Sequence, residues 1–181
     1  MKTLIILAGL PGVGKSYCAR ILKNKLRNCL YFDSDLFSKE YIEEHKLEFM
    51  SLSKDLQSKQ RLKFHRAKID GIKKKFQMYD VILLDTCFDL LHSRKMFYQF
   101  AKEAGINLIV IEIICSEKTV KSRILAKKHE KERMVGTKES RWRIYKRMKS
   151  KWRPIKKVHF VLDSEKDVGA QLDLFLKQYK L

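Results

Sequence analysis

Between an apolar run and a helical pattern, Gly9, Leu10, Pro11, Gly12, Val13 and Gly14 lead into Lys15, Ser16 and Tyr17. Glycines so closely spaced let backbone N–H groups curl around an anion in conformations that a side chain would forbid. A lysine closing such a turn reaches the β- and γ-phosphates of a nucleoside triphosphate. The serine after it offers a hydroxyl to Mg²⁺ at the positive N-terminus of the next helix. Residues 9–17 are therefore expected to bind ATP or GTP. Two further sites follow apolar runs, Phe32-Asp-Ser-Asp35 and Leu84-Asp-Thr86. Asp33 or Asp35 is a candidate to accept the proton of an attacking hydroxyl, and an Asp in that position also serves as the N-cap of the following helix. Asp85, closing Val81-Ile-Leu-Leu-Asp85, is a candidate to hold Mg²⁺ or its water shell together with Ser16.

Those residues need a scaffold that gathers distant segments at one edge. Apolar runs at Thr3–Ala8, Cys29–Phe32, Val81–Leu84, Leu108–Cys115 and Val158–Leu162 are rich in aliphatic residues and lack alternation, as expected of strands covered on both faces. Helical patterns occupy roughly 15–27, 36–50, 53–78, 92–104, 117–128, 138–151 and 165–179. Alternation of this kind predicts an α/β fold with a parallel sheet and right-handed crossovers. Ligands of such sheets bind beyond the carboxyl ends of the strands, which is where Lys15, Asp33, Asp35 and Asp85 fall.

The chain of 181 residues is long enough for one domain with a proper core, and with two prolines and seven glycines it contains no flexible linker. A single domain over residues 1–181 is expected. The N-terminal apolar run is too short for a signal peptide, and no segment is long enough to span a bilayer. Cys18, Cys29, Cys87 and Cys115 have neither metal-ligand nor CxxC spacing and are expected to be free thiols in a cytoplasmic protein. The five histidines share no metal-ligand spacing either.

The formal net charge of +19 makes a polyanionic partner a serious candidate. From Lys118 to Lys157 only Glu130, Glu132 and Glu139 oppose a dense series of Lys and Arg, which could close over ATP or track a phosphodiester backbone. The basic stretch from Lys54 to Lys75 reads as a long helix with solvated charges and with Leu56, Leu62, Ile69, Ile72 and Phe76 on or near one face. Trp142, Tyr145 and Trp152 lie near one face of a helix and are expected to pack on the sheet.

A regulatory GTPase is excluded by the only Asn-Lys pair, Asn24-Lys25-Leu26-Arg27, which lacks the Asp of Asn-Lys-x-Asp and lies in the first helix. The chain instead resembles the kinase branch of P-loop proteins. That branch includes bacteriophage polynucleotide 5′-hydroxyl kinases, archaeal seryl-tRNA kinases, zeta toxins and chloramphenicol phosphotransferases. The marks are GLPGVGKS, the Asp33-Ser34-Asp35 turn, the stretch from Leu84 to Ser93-Arg94, and the basic helix Thr119-Val-Lys-Ser-Arg123. The resemblance is to polynucleotide kinases above all. It implies a P-loop NTPase fold with five parallel strands in the order 2-3-1-4-5 and a basic helical lid over about 123–141.

By the same resemblance Asp35 is the general base and Lys15 a catalytic residue. Asp85 and Thr86, with Asp33, shape the acceptor side, and Arg123, Lys127, Lys128 and Arg133 of the lid clasp the transferred group. Where that family carries an arginine one turn after the base, this chain has Ser38, with Lys39 next. Either Lys39 or another basic residue substitutes, or the acceptor lacks a phosphate there. The resulting expectation is an ATP- and Mg²⁺-dependent kinase acting on the 5′-hydroxyl of RNA or DNA. The alternatives are a kinase for a metabolite or aminoacyl-tRNA hydroxyl, and a nucleotide-dependent nucleic-acid-binding module without transfer.

Overall fold

The computed structural model describes residues 1–44, 54–126 and 138–181. Five strands, β1 (Thr3–Ala8), β2 (Cys29–Asp33), β3 (Val81–Asp85), β4 (Asn107–Ile114) and β5 (Phe160–Asp163), alternate with helices. The helices are α1 (Lys15–Lys25), α2 (Ser34–Glu44), α3 (Lys54–Lys75), α4 (Leu91–Glu103), α5 (Glu117–Ala126), α6 (Lys138–Lys151) and α7 (Val168–Tyr179). The strands form one parallel sheet in the order β2-β3-β1-β4-β5, as expected.

Pleating sends alternate residues of each strand to opposite faces, so each face acquires its own core. Ile5, Leu7, Leu83 and Ile111 pack against residues of α1, α5, α6 and α7. Leu4, Ile6, Ile82, Leu84 and Val110 pack against α3 and α4. Every residue of β1 is buried, which explains why its sequence shows no polar alternation.

Where the element boundaries depart from the sequence reading, local hydrogen bonds account for the change. The Asp33 carboxylate accepts from the backbone N–H groups of Asp35 (3.0 Å) and Leu36 (3.2 Å), so α2 begins at Ser34, immediately after β2. Asp167 caps α7 through the Ala170 N–H (3.0 Å) and delays its start to Val168. Strand β5 begins at Phe160 rather than Val158, whose side chain is 94% exposed. Trp152 lies beyond the end of α6 and packs into the α3/α4 core, whereas Trp142 and Tyr145 pack into the other one, stacked at 5.0 Å. The three aromatics thus pack on the sheet as expected, but on both of its faces. The C-terminal part of the helix expected over 36–50, and residues 127–137 of the expected lid, fall outside the described residues.

Candidate active site

The loop after β1 has the conformation that its glycines predict. A Cβ at Gly9 would come within 2.6 Å of the Ile113 carbonyl oxygen, so any larger residue would push β1 and β4 apart. Gly14 has φ 105° and caps α1 with no side-chain hydrogen bond, so no side chain of the cap competes for the first N–H groups of that helix. Leu10 packs on the core beneath the loop and its carbonyl accepts from Lys15 Nζ (3.1 Å), while Gly9 N–H donates to the Cys87 carbonyl (3.3 Å). Tyr17 takes part through its backbone, donating to Gly14 (3.1 Å), and leaves its ring exposed.

The register of the central strands brings the acidic residues to this loop. Asp85 pairs with Leu7 of β1 on one side and Asp33 of β2 on the other. Its carboxylate Oδ2 accepts from Ser16 Oγ (2.7 Å) and from Tyr31 Oη (3.0 Å), and the residue is only 8% exposed. Burial, with Asp85 next in effect, raises the Tyr31 phenol well above its ordinary value, so it remains a donor at any working pH. Thr86 continues the ladder by donating its N–H to Leu7 (3.2 Å). The paired Ser16 hydroxyl and Asp85 carboxylate supply oxygen donors only, the set that suits a hard cation such as Mg²⁺ completed by phosphate oxygens and water.

Lys15 and Asp35 meet in the same field. Burial by itself would lower the Lys15 pKa, but Cys87, Asp85, Asp35 and Asp89 together raise it above 10.5. Asp35 is held above the usual carboxylate range, first by partial desolvation and then by Asp85 and Asp33, with Lys15 and Lys68 opposing the rise. It stays open to solvent at the start of α2, as a group that meets an acceptor must. Asp33, by contrast, is engaged in capping α2.

Arg123 is placed otherwise than expected. Its Nη1 donates to the Val13 carbonyl (3.1 Å) and to Ser164 Oγ (2.9 Å), and its Nη2 donates to the Ser164 carbonyl (3.1 Å). The guanidinium thus braces the phosphate loop against the turn after β5 rather than projecting across it. Lys39 runs along the surface of α2 toward Glu43 (3.9 Å). Lys127, Lys128 and Arg133 lie outside the described residues.

The cation beside the candidate base comes instead from α3. Lys68 is 5% exposed, donates to Ser34 Oγ and lies 4.4 Å from the centroid of the Phe64 ring. Ser34 is the residue between the two acidic ones, and Ser38, one turn on, donates to its carbonyl (2.5 Å). Among the charges of α3, read as solvated, Lys68 turns inward; Ile69, Ile72 and Phe76 are buried as read, Leu62 is exposed, and the side chain of Leu56 lies outside the described residues. The position of Lys68 next to Ile69 and Ile72 on the helix was the one signal in the sequence.

Burial pulls the Lys68 pKa down to about 8, against the opposing effect of Asp35. The unfolded chain, with its lysine near 10.5, therefore holds a proton that the folded one has released between pH 8 and 10.5. Stability contributed by this group rises with pH across that window, by up to about 3 kcal/mol. Lys68→Met should abolish that rise. Cys18 and Cys29, each raised to about 11 by burial, act in the opposite direction above pH 9 in both proteins and cancel in the comparison. Urea unfolding of wild type and variant at pH 7 and pH 10 checks this. A stability difference that does not change with pH would rule out a buried ammonium.

A glycine-lined turn between a parallel strand and a helix, with a Ser–Asp pair at the helix start and the 2-3-1-4-5 order, defines a P-loop NTPase fold. A family model described as an AAA domain matches residues 5–146, and the chain belongs to that family. Several solved structures share the architecture. Mycobacterium tuberculosis APS kinase CysC, in complex with AMPPNP and APS, matches with a TM-score of 0.66 and 16% identity over 99% of this chain and 98% of that one. Chaetomium thermophilum Kti12, in complex with ADP-AlF3, matches with a TM-score of 0.67 and 18% identity over 98% and 97%. A gluconokinase from Sinorhizobium meliloti 1021 matches with a TM-score of 0.63 and 11% identity over 98% and 95%. No curated protein matches the sequence. Among the described residues no helix is long and apolar enough to cross a membrane.

Proposed function

We propose that this protein transfers the γ-phosphoryl group of ATP to a hydroxyl, and that the acceptor is the 5′-hydroxyl end of an RNA or DNA strand. The observation that carries the transfer reading is Asp35. It is a solvent-open carboxyl with a raised pKa, in the electrostatic reach of Lys15 and Asp85 at the mouth of the phosphate loop. A protein that only binds nucleotide has no use for a proton acceptor there. Neighbouring structures determined with AMPPNP and with ADP-AlF3 support nucleotide as the donor.

In this reading the backbone N–H groups of Gly12, Gly14, Lys15 and Ser16 and the Lys15 ammonium hold the β- and γ-phosphates. Ser16 and Asp85 would hold Mg²⁺, which when bound offsets charge on the phosphate oxygens. Asp35 takes the proton of the acceptor hydroxyl as that oxygen forms its bond to the γ-phosphorus. The bond from phosphorus to the β–γ bridging oxygen breaks, and ADP leaves with the electron pair. Lys68, after Lys15, opposes the rise in the Asp35 pKa and presents positive charge on the acceptor side, where the family's arginine is replaced by Ser38.

The positive charge of the chain supports a nucleic-acid acceptor. A small-molecule hydroxyl is the second reading, favoured by neighbours named as an APS kinase and a gluconokinase. Incubation with γ-labelled ATP separates the two. Label should enter 5′-hydroxyl oligonucleotides and be blocked by a 5′-phosphate. Label entering only metabolite pools would assign the second reading, and none entering either would refute transfer.

A further inference from the structure

The segment between α6 and β5 has no regular secondary structure, yet its position is fixed from inside. Arg94 of α4 is 3% exposed, and donates from Nε to the Phe88 carbonyl (2.6 Å), from Nη1 to Pro154 (3.0 Å) and from Nη2 to Arg153 (2.6 Å). Its guanidinium lies 5.3 Å from the Trp152 ring, and Ile155 is buried in the α3/α4 core. Removing those three donors would leave carbonyls without partners, so the segment is held against the start of α4 rather than free to move away.

Held there, it forms one wall of a cleft of about 630 Å³ whose other wall is the start of α4. Besides the buried Arg94, five cationic side chains line it: Lys95, Lys151, Arg153, Lys156 and Lys157. All five residues are exposed, and none forms an ion pair among the described residues. Lys157 alone has a local contact, 4.2 Å from the centroid of the Tyr98 ring, whose hydroxyl is buried without a hydrogen-bond partner. The first turn of α4 has no side-chain cap and adds its positive end.

Like charges gathered in a concavity repel one another and concentrate the field, and the group that relieves both effects is a row of anions. Asp89 is the one acidic lining residue, and it lies two residues after Cys87, whose carbonyl accepts from the Gly9 N–H (3.3 Å), so this end of the cleft adjoins the phosphate loop. Glu112, the other acid near Arg94, is paired with His159 (2.9 Å).

We propose that this cleft holds backbone phosphates of a single-stranded acceptor and leads its 5′ end to Asp35. The inference rests on the nucleic-acid reading given above, but the cleft and the chemistry can fail separately. Arg153→Ala/Lys156→Ala/Lys157→Ala removes three cations that neither touch the phosphate loop nor fill a core. For single strands each phosphate contact contributes about 0.7 to the slope of log K against log salt, so the slope should fall by about 2 and affinity at 0.1 M salt by about 100-fold.

Fluorescence anisotropy of a labelled single-stranded oligonucleotide between 50 and 200 mM salt reads this. A fluorescent ATP analogue, unaffected, confirms that the variant is folded, and the charge-conserving variant Arg153→Lys/Lys156→Arg/Lys157→Arg should keep the wild-type slope. An unchanged slope in the alanine variant overturns the proposal, as does wild-type protein that binds poly-glutamate as tightly as the oligonucleotide at equal charge. Oligonucleotide that binds through the cleft but is never phosphorylated would sink the kinase reading and leave the cleft standing. Phosphorylation with an unaltered slope would do the reverse.

Discussion

Lys15→Ala is expected to lower kcat/KM for phosphoryl transfer by more than about 10²-fold, equivalent to about 2.7 kcal/mol of lost transition-state stabilisation. Positioning and charge stabilisation supply nearly all the catalysis in this chemistry, and Lys15 is the cation of the phosphate loop. Despite its burial its pKa is held above the ordinary lysine value, with Asp85, Asp35 and Asp89 supplying negative charge, so it carries its charge across the working pH range. The substitution therefore removes a whole charge. It also leaves Asp85 and Asp35 with less opposing charge, so the acid limb of any residual activity should move to higher pH. Transfer of label from γ-labelled ATP under steady-state conditions measures the effect, with unfolding by urea run alongside to separate catalysis from stability. Turnover close to wild type would remove the phosphate loop from the mechanism.

Asp35→Asn is expected to cost about 10²-fold or more in kcat with little change in the affinity for ATP, because the amide keeps the shape but cannot take a proton. The pH profile gives a second readout. A base works only when ionised, so kcat/KM should climb with pH through a value above the ordinary carboxylate range, the direction set by desolvation, Asp85 and Asp33. That limb should vanish in Asp35→Asn. In Lys68→Met it should move upward, since a positive charge that favours the ionised form has gone. Asp33 should behave differently. Its carboxylate caps α2, so Asp33→Ala should lower stability by about 1 kcal/mol and affect kcat mainly through the position of Asp35. If Asp33→Asn lost more turnover than Asp35→Asn, the two roles would have to be exchanged.

The parts of this site that were legible in the sequence are those whose chemistry is local. Gly9 to Ser16 form a contiguous loop whose backbone angles follow from residue type, and uninterrupted aliphatic runs such as Leu4 to Leu7 announce strands covered on both faces. Asp33, Asp35 and Asp85 could be named as candidates because parallel sheets present their carboxyl ends together, while the choice of Asp35 as the base came from the resemblance to polynucleotide kinases. Packing decided what the sequence could not distinguish. Lys68 looks like its solvated neighbours on α3, and only the approach of that helix to Ser34 turns it into a buried cation beside the candidate base. Arg123 reads as a lid residue, but the turn after β5 brings Ser164 within its reach and ties it beneath the loop. Arg94 binds carbonyls some sixty residues away, and through them shapes a cleft that no local pattern encodes. Residue type and spacing determine which groups can act. Which of several identical lysines and arginines becomes buried, braced or left open depends on long-range burial and hydrogen bonding, and those exist only once the chain has folded.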